Sequence, residues 1–434
     1  GPAYNPIGPA QILPASATGS ISSGVPIYGT PGCGSVECDI FSFDRNIRTP
    51  YMENYNFNIE QELAAHASLE VGYVGSQGHR LFRFRDLNQP GPAAIAAYDI
   101  AYAQSNVNTS DGSPCYPAGG PGCIPSYAVP RVYGANPYGA FYIMQQEATA
   151  KSNYNSLQAS LRVNGWRGVT SIANYVWSRS MDTASDGEDF QPNASQPNDS
   201  TRPTAEYGPS NFDIPQRFTW IFGYQLPKSG AGRLKNGWGL DSTVSLQSGQ
   251  PFQFNYNFED DFSGSAEGDD RPDVVGPAIY HQRQPGNYIQ LASYALPCQV
   301  TAYALANGPT GSAQDCIPGT RHFGTLGRNT LRAPQFKQWD LAVYKDTAIT
   351  ERINMQLRAE FFNIVNHPNF ANPFLPAFIA DPGIGGFALN NGREVGNGAY
   401  PIVATGDVGI GNPFLGGGGP RGIQLALKFT LGAH

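Results

Sequence analysis

Six cysteines are the residues best placed to do chemistry in this chain. They fall into three pairs close in sequence: Cys33 with Cys38, Cys115 with Cys123, and Cys298 with Cys316, all within Gly/Pro-rich stretches. Metal sites usually bring Cys or His together at tighter spacing in each half, and no His accompanies these. Local disulfides closing three loops are the simplest connectivity; free thiols and a metal site remain the alternatives. Disulfides imply an oxidising compartment, and each would stiffen a loop more than hold a fold.

The other reactive types form no constellation. The six histidines, His66, His79, His281, His322, His367 and His434, are scattered among loops and turns without the spacing of a zinc protease. No Ser/His/Asp arrangement stands out, so no catalytic residue and no enzyme are expected. The acidic stretch Glu259, Asp260, Asp261, Glu267, Asp269, Asp270 and Asp273 is the one candidate for a cation, calcium above all, because calcium takes clustered oxygens on flexible loops. It lacks the EF-hand spacing, and a solvated acidic loop is the simpler reading. No cofactor is expected otherwise.

The elements that must position these loops are β-strands. The chain has 434 residues, 14% of them charged, with 51 Gly, 36 Pro, 23 Tyr and 24 Phe. That is length for two or three ordinary domains or one large barrel. Almost no segment sustains a helical period. The net charge of −7 is thinly spread and gives no footprint for nucleic acid. No apolar run reaches the roughly 18 residues of a membrane helix. The mean hydropathy of −0.33 does not exclude a membrane barrel, whose strands are only half apolar. Gly1-Pro2-Ala3 lacks the basic start and apolar core of a signal peptide, which suggests a mature form, a processed fragment or the product of tag removal.

The clearest pattern is QWDLAVYKDTAITERINMQLRAEFFNIVNHPNF, Gln338 to Phe370. Trp339, Leu341 and Val343 alternate with Asp340, Ala342 and Tyr344. After a polar turn, Ile353, Met355, Leu357, Ala359 and Phe361 alternate with Asn354, Gln356, Arg358 and Glu360. A period of two gives one apolar and one polar face. Charges at mid-strand on the polar face suggest water there and lipid on the other side, as in an outer-membrane barrel. The same design recurs at 54–60, 69–84, 140–148, 156–163, 169–177, 218–226, 238–247 and 423–431, about ten strands in all. Their connections alternate short and long, as the short periplasmic turns and longer extracellular loops of such barrels do. The candidate lumen-facing residues are Glu60, Glu70, Gln158, Arg162, Asp241, Gln247, Arg358, Glu360 and Lys428; the simpler reading is that they pair across strands. Tyr73, Trp166, Tyr175, Trp177, Trp220, Tyr224, Trp238 and Trp339 fit an interfacial aromatic girdle, or else the core of a large soluble β-protein. Residues 1–48 read as a loop or extended arm, and 49–434 as the barrel segment.

Several segments in fixed order resemble the C-terminal part of Oar-like TonB-dependent outer-membrane receptors of the acidobacterial type. They are Arg48-Thr49-Pro50-Tyr51 with Glu60-Gln61-Glu62-Leu63, Leu69 to Ser76 with Gly78, Tyr154 to Gln158, Tyr175 to Ser178, Gln247 to Phe252, Asp270-Arg271-Pro272, Gly327-Arg328-Asn329, and the hairpin through Asn366-His367-Pro368. The resemblance covers roughly 49–431. It implies an all-β, antiparallel barrel of about 22 strands in the outer membrane of a Gram-negative bacterium, with loops at the cell surface. It also implies an N-terminal regulatory-like domain, a TonB box and a plug before the barrel, none of which matches any segment here. The family tends to stop at an aromatic residue, whereas this chain runs past Phe429 to His434. The function expected is binding and import of an unidentified large nutrient. The partners expected are outer-membrane lipid, the missing plug and barrel portion, and the TonB system. The alternative is a surface structural or adhesive protein, a barrel-derived fragment used as an assembly subunit.

Overall fold

The computed structural model describes residues 38–97, 140–185, 197–227, 232, 234–253, 271–280, 288–295, 297, 322–371, 387–390, 393–396, 399–400, 403–404 and 419–431. Ten strands matter for the argument: β1 (Cys38–Phe43), β2 (Tyr51–Ala64), β3 (Ala67–Asp86), β4 (Ala140–Trp166), β5 (Val169–Asp182), β6 (Gln216–Gln225), β7 (Trp238–Gln247), β8 (Phe336–Thr350), β9 (Ile353–Phe362) and β10 (Gly422–Leu431). Strands β2 to β10 form an antiparallel meander in chain order. Register carries one face from strand to strand: Asp241 of β7 lies opposite Ala342 of β8, which lies opposite Glu360 of β9.

Two sequence expectations change here. Ala140–Ala148 and Leu157–Val163 belong to one 27-residue strand, because the polar run between them is held by ladder bonds rather than by apolar alternation. Ser152 sits opposite both Gly78 and Asp182. Within the stretch read as an arm, β1 is a strand, lying parallel to the start of β4 with Ile40 opposite Ile143.

Local chemistry sets the hairpins. Arg167 and Gly168 both have positive φ, 51° and 87°, as a two-residue turn of primed type requires. A Cβ at Gly168 would lie 2.4 Å from the Gln225 carbonyl oxygen, so a side chain there would also push on the neighbouring strand. The β3 strand carries a bulge at His79 and Arg80, where the register slips between Gly78 and Leu81 and Arg80 takes φ 56°. Beyond that bulge β3 and β4 stay paired as far as Asp86 and Met144.

The strand ends joined by the short links, Ala65-His66, Arg167-Gly168, 226–237 and Glu351-Arg352, all lie at one end of the meander. The strand ends joined by the long connections, 87–139, 183–215, 248–335 and 363–421, all lie at the other. Ten-residue strands such as β9 rise about 34 Å and, tilted near 40°, cross about 25 Å, the apolar height of an outer membrane.

Among the described residues no protein covers the apolar face. Phe57, Ile59, Leu157, Trp177, Trp339, Leu357, Leu425, Leu427 and Phe429 are all exposed, Phe57 by 67% and Leu425 by 75%. Burying such side chains away from water would gain about 1.5–3 kcal/mol each, so a face of this size needs an apolar solvent. At the short-turn end, Lys345 shares the apolar face, lies 5.7 Å from the Trp238 ring centre, and carries its Nζ to the Asn236 carbonyl. That is a lysine reaching from lipid to the interface.

The apolar core of the described residues lies elsewhere, within the long connection between β7 and β8. Phe252, Tyr288, Ile289, Leu291, Tyr294, Leu326, Leu331 and Ala333 pack there as one buried cluster.

Candidate functional site: a polar sheet face and a folded cap

Two regions carry the charges. The first is the polar face of the meander. Register places Glu60, Glu70, Gln158, Arg162, Asp241, Gln247, Arg358, Glu360 and Lys428 all on this one face. The structure brings three of them together. Arg358 Nε donates to Glu360 Oε1 at 2.6 Å, and its Nη1 donates to Asp241 Oδ2 at 2.9 Å across β8. The small Ala342 between the two acids leaves room for this reach. The same guanidinium lies 5.7 Å from the Tyr344 ring centre. That ring in turn covers Gly239, where a Cβ would come within 2.1 Å of Tyr344 Cζ. All three ion-pair partners are half-buried or exposed, so water screens them.

Arg162 and Glu70 make a looser pair at 3.6 Å. Glu60 stands directly opposite Glu70, like charge against like. Lys428 stands opposite Gln356. Neither Glu60 nor Lys428 has an ion-pair partner among the described residues.

The second region is the cap built from the long connections and the far ends of β3, β4 and β5, and most of its charges are buried. Arg83 Nε donates to Glu147 Oε1 at 3.0 Å, and Arg85 Nε to Glu147 Oε2 at 2.9 Å. Arg83 Nη1 reaches the Pro203 carbonyl at 3.0 Å. Pro203–Glu206 is a single 3₁₀ turn, and three arginines converge on it. At its far end Arg271 donates to the Glu206 carboxylate, and Arg328 Nε donates to the Glu206 carbonyl at 2.9 Å. Arg328 also donates to the Asp182 carboxylate and, through Nη1, to Ser185 Oγ at 3.0 Å. Arg332 pairs with Asp213. Asn329, at φ 55°, sends Nδ2 to the Pro209 carbonyl at 3.0 Å. Burial holds the Tyr280 and Tyr294 phenols above their ordinary pKa, so both stay neutral hydrogen-bonding groups.

Sequence reasoning missed this cap. Asp270-Arg271-Pro272 and Gly327-Arg328-Asn329 were visible as short motifs, yet nothing in their spacing names a partner. Asp182 lies 146 residues from Arg328.

The remaining candidates divide as follows. Cys38 opens β1; its side chain and Cys33, Cys115, Cys123, Cys298 and Cys316 lie outside the described residues, so no pairing is placed. Glu259, Asp260, Asp261, Glu267, Asp269 and Asp270 also lie outside them. Asp273, counted with that acidic stretch, is buried in the cap: it accepts from the Thr325 N–H at 3.2 Å and lies 3.0 Å from His322 Nε2. It is therefore tied up in protein contacts. Among the described residues no group of three or more His, Cys, Asp or Glu could hold a metal ion.

Comparison with known proteins bears on this architecture. The chain matches the family model described as an outer membrane beta barrel domain over residues 4–391. No curated protein matches it in sequence. Among solved structures it is similar to the outer membrane transporter YddB from Escherichia coli, at 9% identity and TM-score 0.36, over 85% of this chain and 34% of that one. It is similar to the ferric citrate transporter FecA at 10% identity and TM-score 0.31, over 88% of this chain and 31% of that one. It is similar to the ferripyoverdine receptor of the outer membrane of Pseudomonas aeruginosa at 9% identity and TM-score 0.31, over 88% of this chain and 27% of that one. These likenesses are too distant to carry a residue or a ligand across, and the chain spans about a third of those proteins' length or less. The match to the family model covers most of the chain, and the antiparallel meander with its uncovered apolar face is what such a domain requires: the chain belongs to the outer membrane beta barrel domain family, and its place is the outer membrane.

Proposed function

We propose that this chain is the C-terminal barrel portion of an Oar-like TonB-dependent receptor, which binds a large nutrient at the cell surface and imports it. The polar face of the meander lines the lumen, and Arg358, Asp241, Glu360, Arg162 and Glu70 set the charge along that path. The cap faces outward and captures the ligand; local disulfides Cys33–Cys38, Cys115–Cys123 and Cys298–Cys316 stiffen the adjoining loops. A plug supplied from outside these 434 residues gates the passage.

The observation that supports this best is the asymmetry of the connections. Every long connection leaves the same end of the sheet, and one of them, 248–335, folds into a buried core that Arg271 and Arg328 tie to Glu206 of the connection before it. A barrel that only anchored a surface scaffold would need no pre-organised cap above its polar face, whereas capture of a ligand benefits from loops ordered in advance.

The test is uptake. The gene is deleted and restored in cells with and without a working TonB, and loss of large solutes from the medium is followed by mass spectrometry. A solute depleted only when both are present supports import. Unchanged uptake, with loss of cell–cell or surface attachment, would favour the adhesive alternative.

A further inference from the structure

We propose that Arg217 reads the charge of the solute: it takes an oxyanion group, carboxylate or phosphate, as the solute passes along the polar face below the cap. The inference rests on the reading of that face as an import path and adds to it the chemical class of what is carried.

Register places the residue. Arg217 is the second residue of β6, at the strand end that joins a long connection. It lies opposite Val176 of β5 on one side and Gln247 of β7 on the other. Parity puts it on the polar face with Gln247 and Asp241. Its side chain is exposed.

The neighbours set it apart. Arg162 and Arg358, on the same face, both have acids. Arg162 reaches Glu70 on the diagonal, one strand away. Arg358 reaches Asp241 two strands away, over the small Ala342. Arg217 meets no acid at either range. Val176 and Gln247 stand directly beside it, Asn174, Ser178 and Ser245 on the diagonals, and Thr219 next along its own strand. Two strands away its row carries Gln158 and Phe336. Among the described residues its guanidinium has neither an ion-pair nor a hydrogen-bond partner.

The chemistry follows from that setting. A guanidinium holds its N–H donors in a planar fork that matches two oxygens of a carboxylate or phosphate, and it stays charged at any working pH. The amide and hydroxyl neighbours add donors and acceptors without a competing charge. An anion on this face meets at Arg217 a cation that no carboxylate offsets, whereas at Arg358 it meets Asp241 and Glu360 as well. The wall below the cap therefore favours a solute that carries an oxyanion among groups able to hydrogen-bond, over a neutral solute.

The test is arginine modification by phenylglyoxal in native outer membranes that hold the full-length protein, with modified residues identified by mass spectrometry. Succinate and inorganic phosphate are the probes, glucose is the neutral control, and chloride keeps the ionic strength constant. The expected result is modification of Arg217 in buffer and with glucose, and loss of that modification with succinate, phosphate or both; which anion protects identifies the group. An Arg217 that resists the reagent without a probe is held by another part of the polypeptide, and overturns the proposal. So does modification that neither anion slows, or equal slowing at Arg352, exposed in the Glu351-Arg352 turn, which would be a bulk effect of the anions. The uptake cells give a second arm. Arg217→Gln should abolish depletion of solutes that bear a carboxylate or phosphate and leave neutral solutes untouched, with Arg217→Lys retaining part of it. Unchanged uptake of anionic solutes in Arg217→Gln cells overturns the role of the residue. Absence of TonB-dependent uptake in unaltered cells sinks the import reading, while the protection of Arg217 in membranes decides the oxyanion site by itself.

Discussion

The sheet and the cap hold their charges in opposite ways. On the sheet, Arg358 joins Asp241 and Glu360 while half-exposed to water. In the cap, Arg328, Arg83 and Arg271 pair with Asp182, Glu147 and Glu206 in almost complete burial. Screened pairs are worth little and can be rearranged by a passing solute. Buried pairs add little net stability when intact, but breaking one strands a charge, so they fix a single arrangement. The difference separates an adaptable surface from a rigid one: a wet wall below, a set shape above.

Breaking the cap should give the largest effect. Arg328→Ala leaves Asp182 buried and unpaired, at a cost of about 3–5 kcal/mol. The expected outcome is rapid proteolysis of 183–215 and 271–333 with β2–β10 still protected from hydrogen exchange. Equal loss in both regions would mean that cap and sheet form one unit. Next is the lipid face: Leu357→Arg, at mid-strand on β9, should cost about 2–4 kcal/mol and reduce outer-membrane insertion, measured by heat-modifiable migration on gels. Arg358→Ala should cost at most about 1 kcal/mol, and a rise in salt should shrink even that, because its partners are half-exposed. Denaturant titration at low and high salt checks it.

The smallest effect is alkaline. Tyr294 is held above its ordinary 10.0 by burial, and the Tyr280 phenol nearby adds to the rise. The folded state keeps a proton that the unfolded chain loses. Its contribution is complete below pH 10 and falls as pH rises further, so the cap should loosen before the sheet does. Tyr294→Phe should weaken that dependence, read from amide exchange in 288–295 and 322–333.

What was legible in the sequence follows from the same division. A strand between lipid and water must alternate, so β7, β8, β9 and β10 are written into their own residues, and Glu360 and Arg358 are placed by parity alone. The polar run Lys151 to Asn155 was illegible, because outside the membrane β4 is held by ladder bonds to β3 and β5 that no apolar pattern announces. The cap was the least legible part. Arg83 meets Glu147, and Arg271 meets Glu206, at sequence separations of 64 and 65 residues, and long-range pairs of this kind have no local period.

The central claim is that one face of the sheet meets lipid while the other meets water. Spin labels at each position from Ile353 to Phe362, in reconstituted membranes, test it through their accessibility to oxygen and to a water-soluble nickel complex. The account predicts strict alternation: Met355, Leu357, Ala359 and Phe361 favouring oxygen, and Asn354, Gln356, Arg358 and Glu360 favouring nickel. Equal accessibility at successive positions, or an apolar face shielded from both reagents, would contradict it.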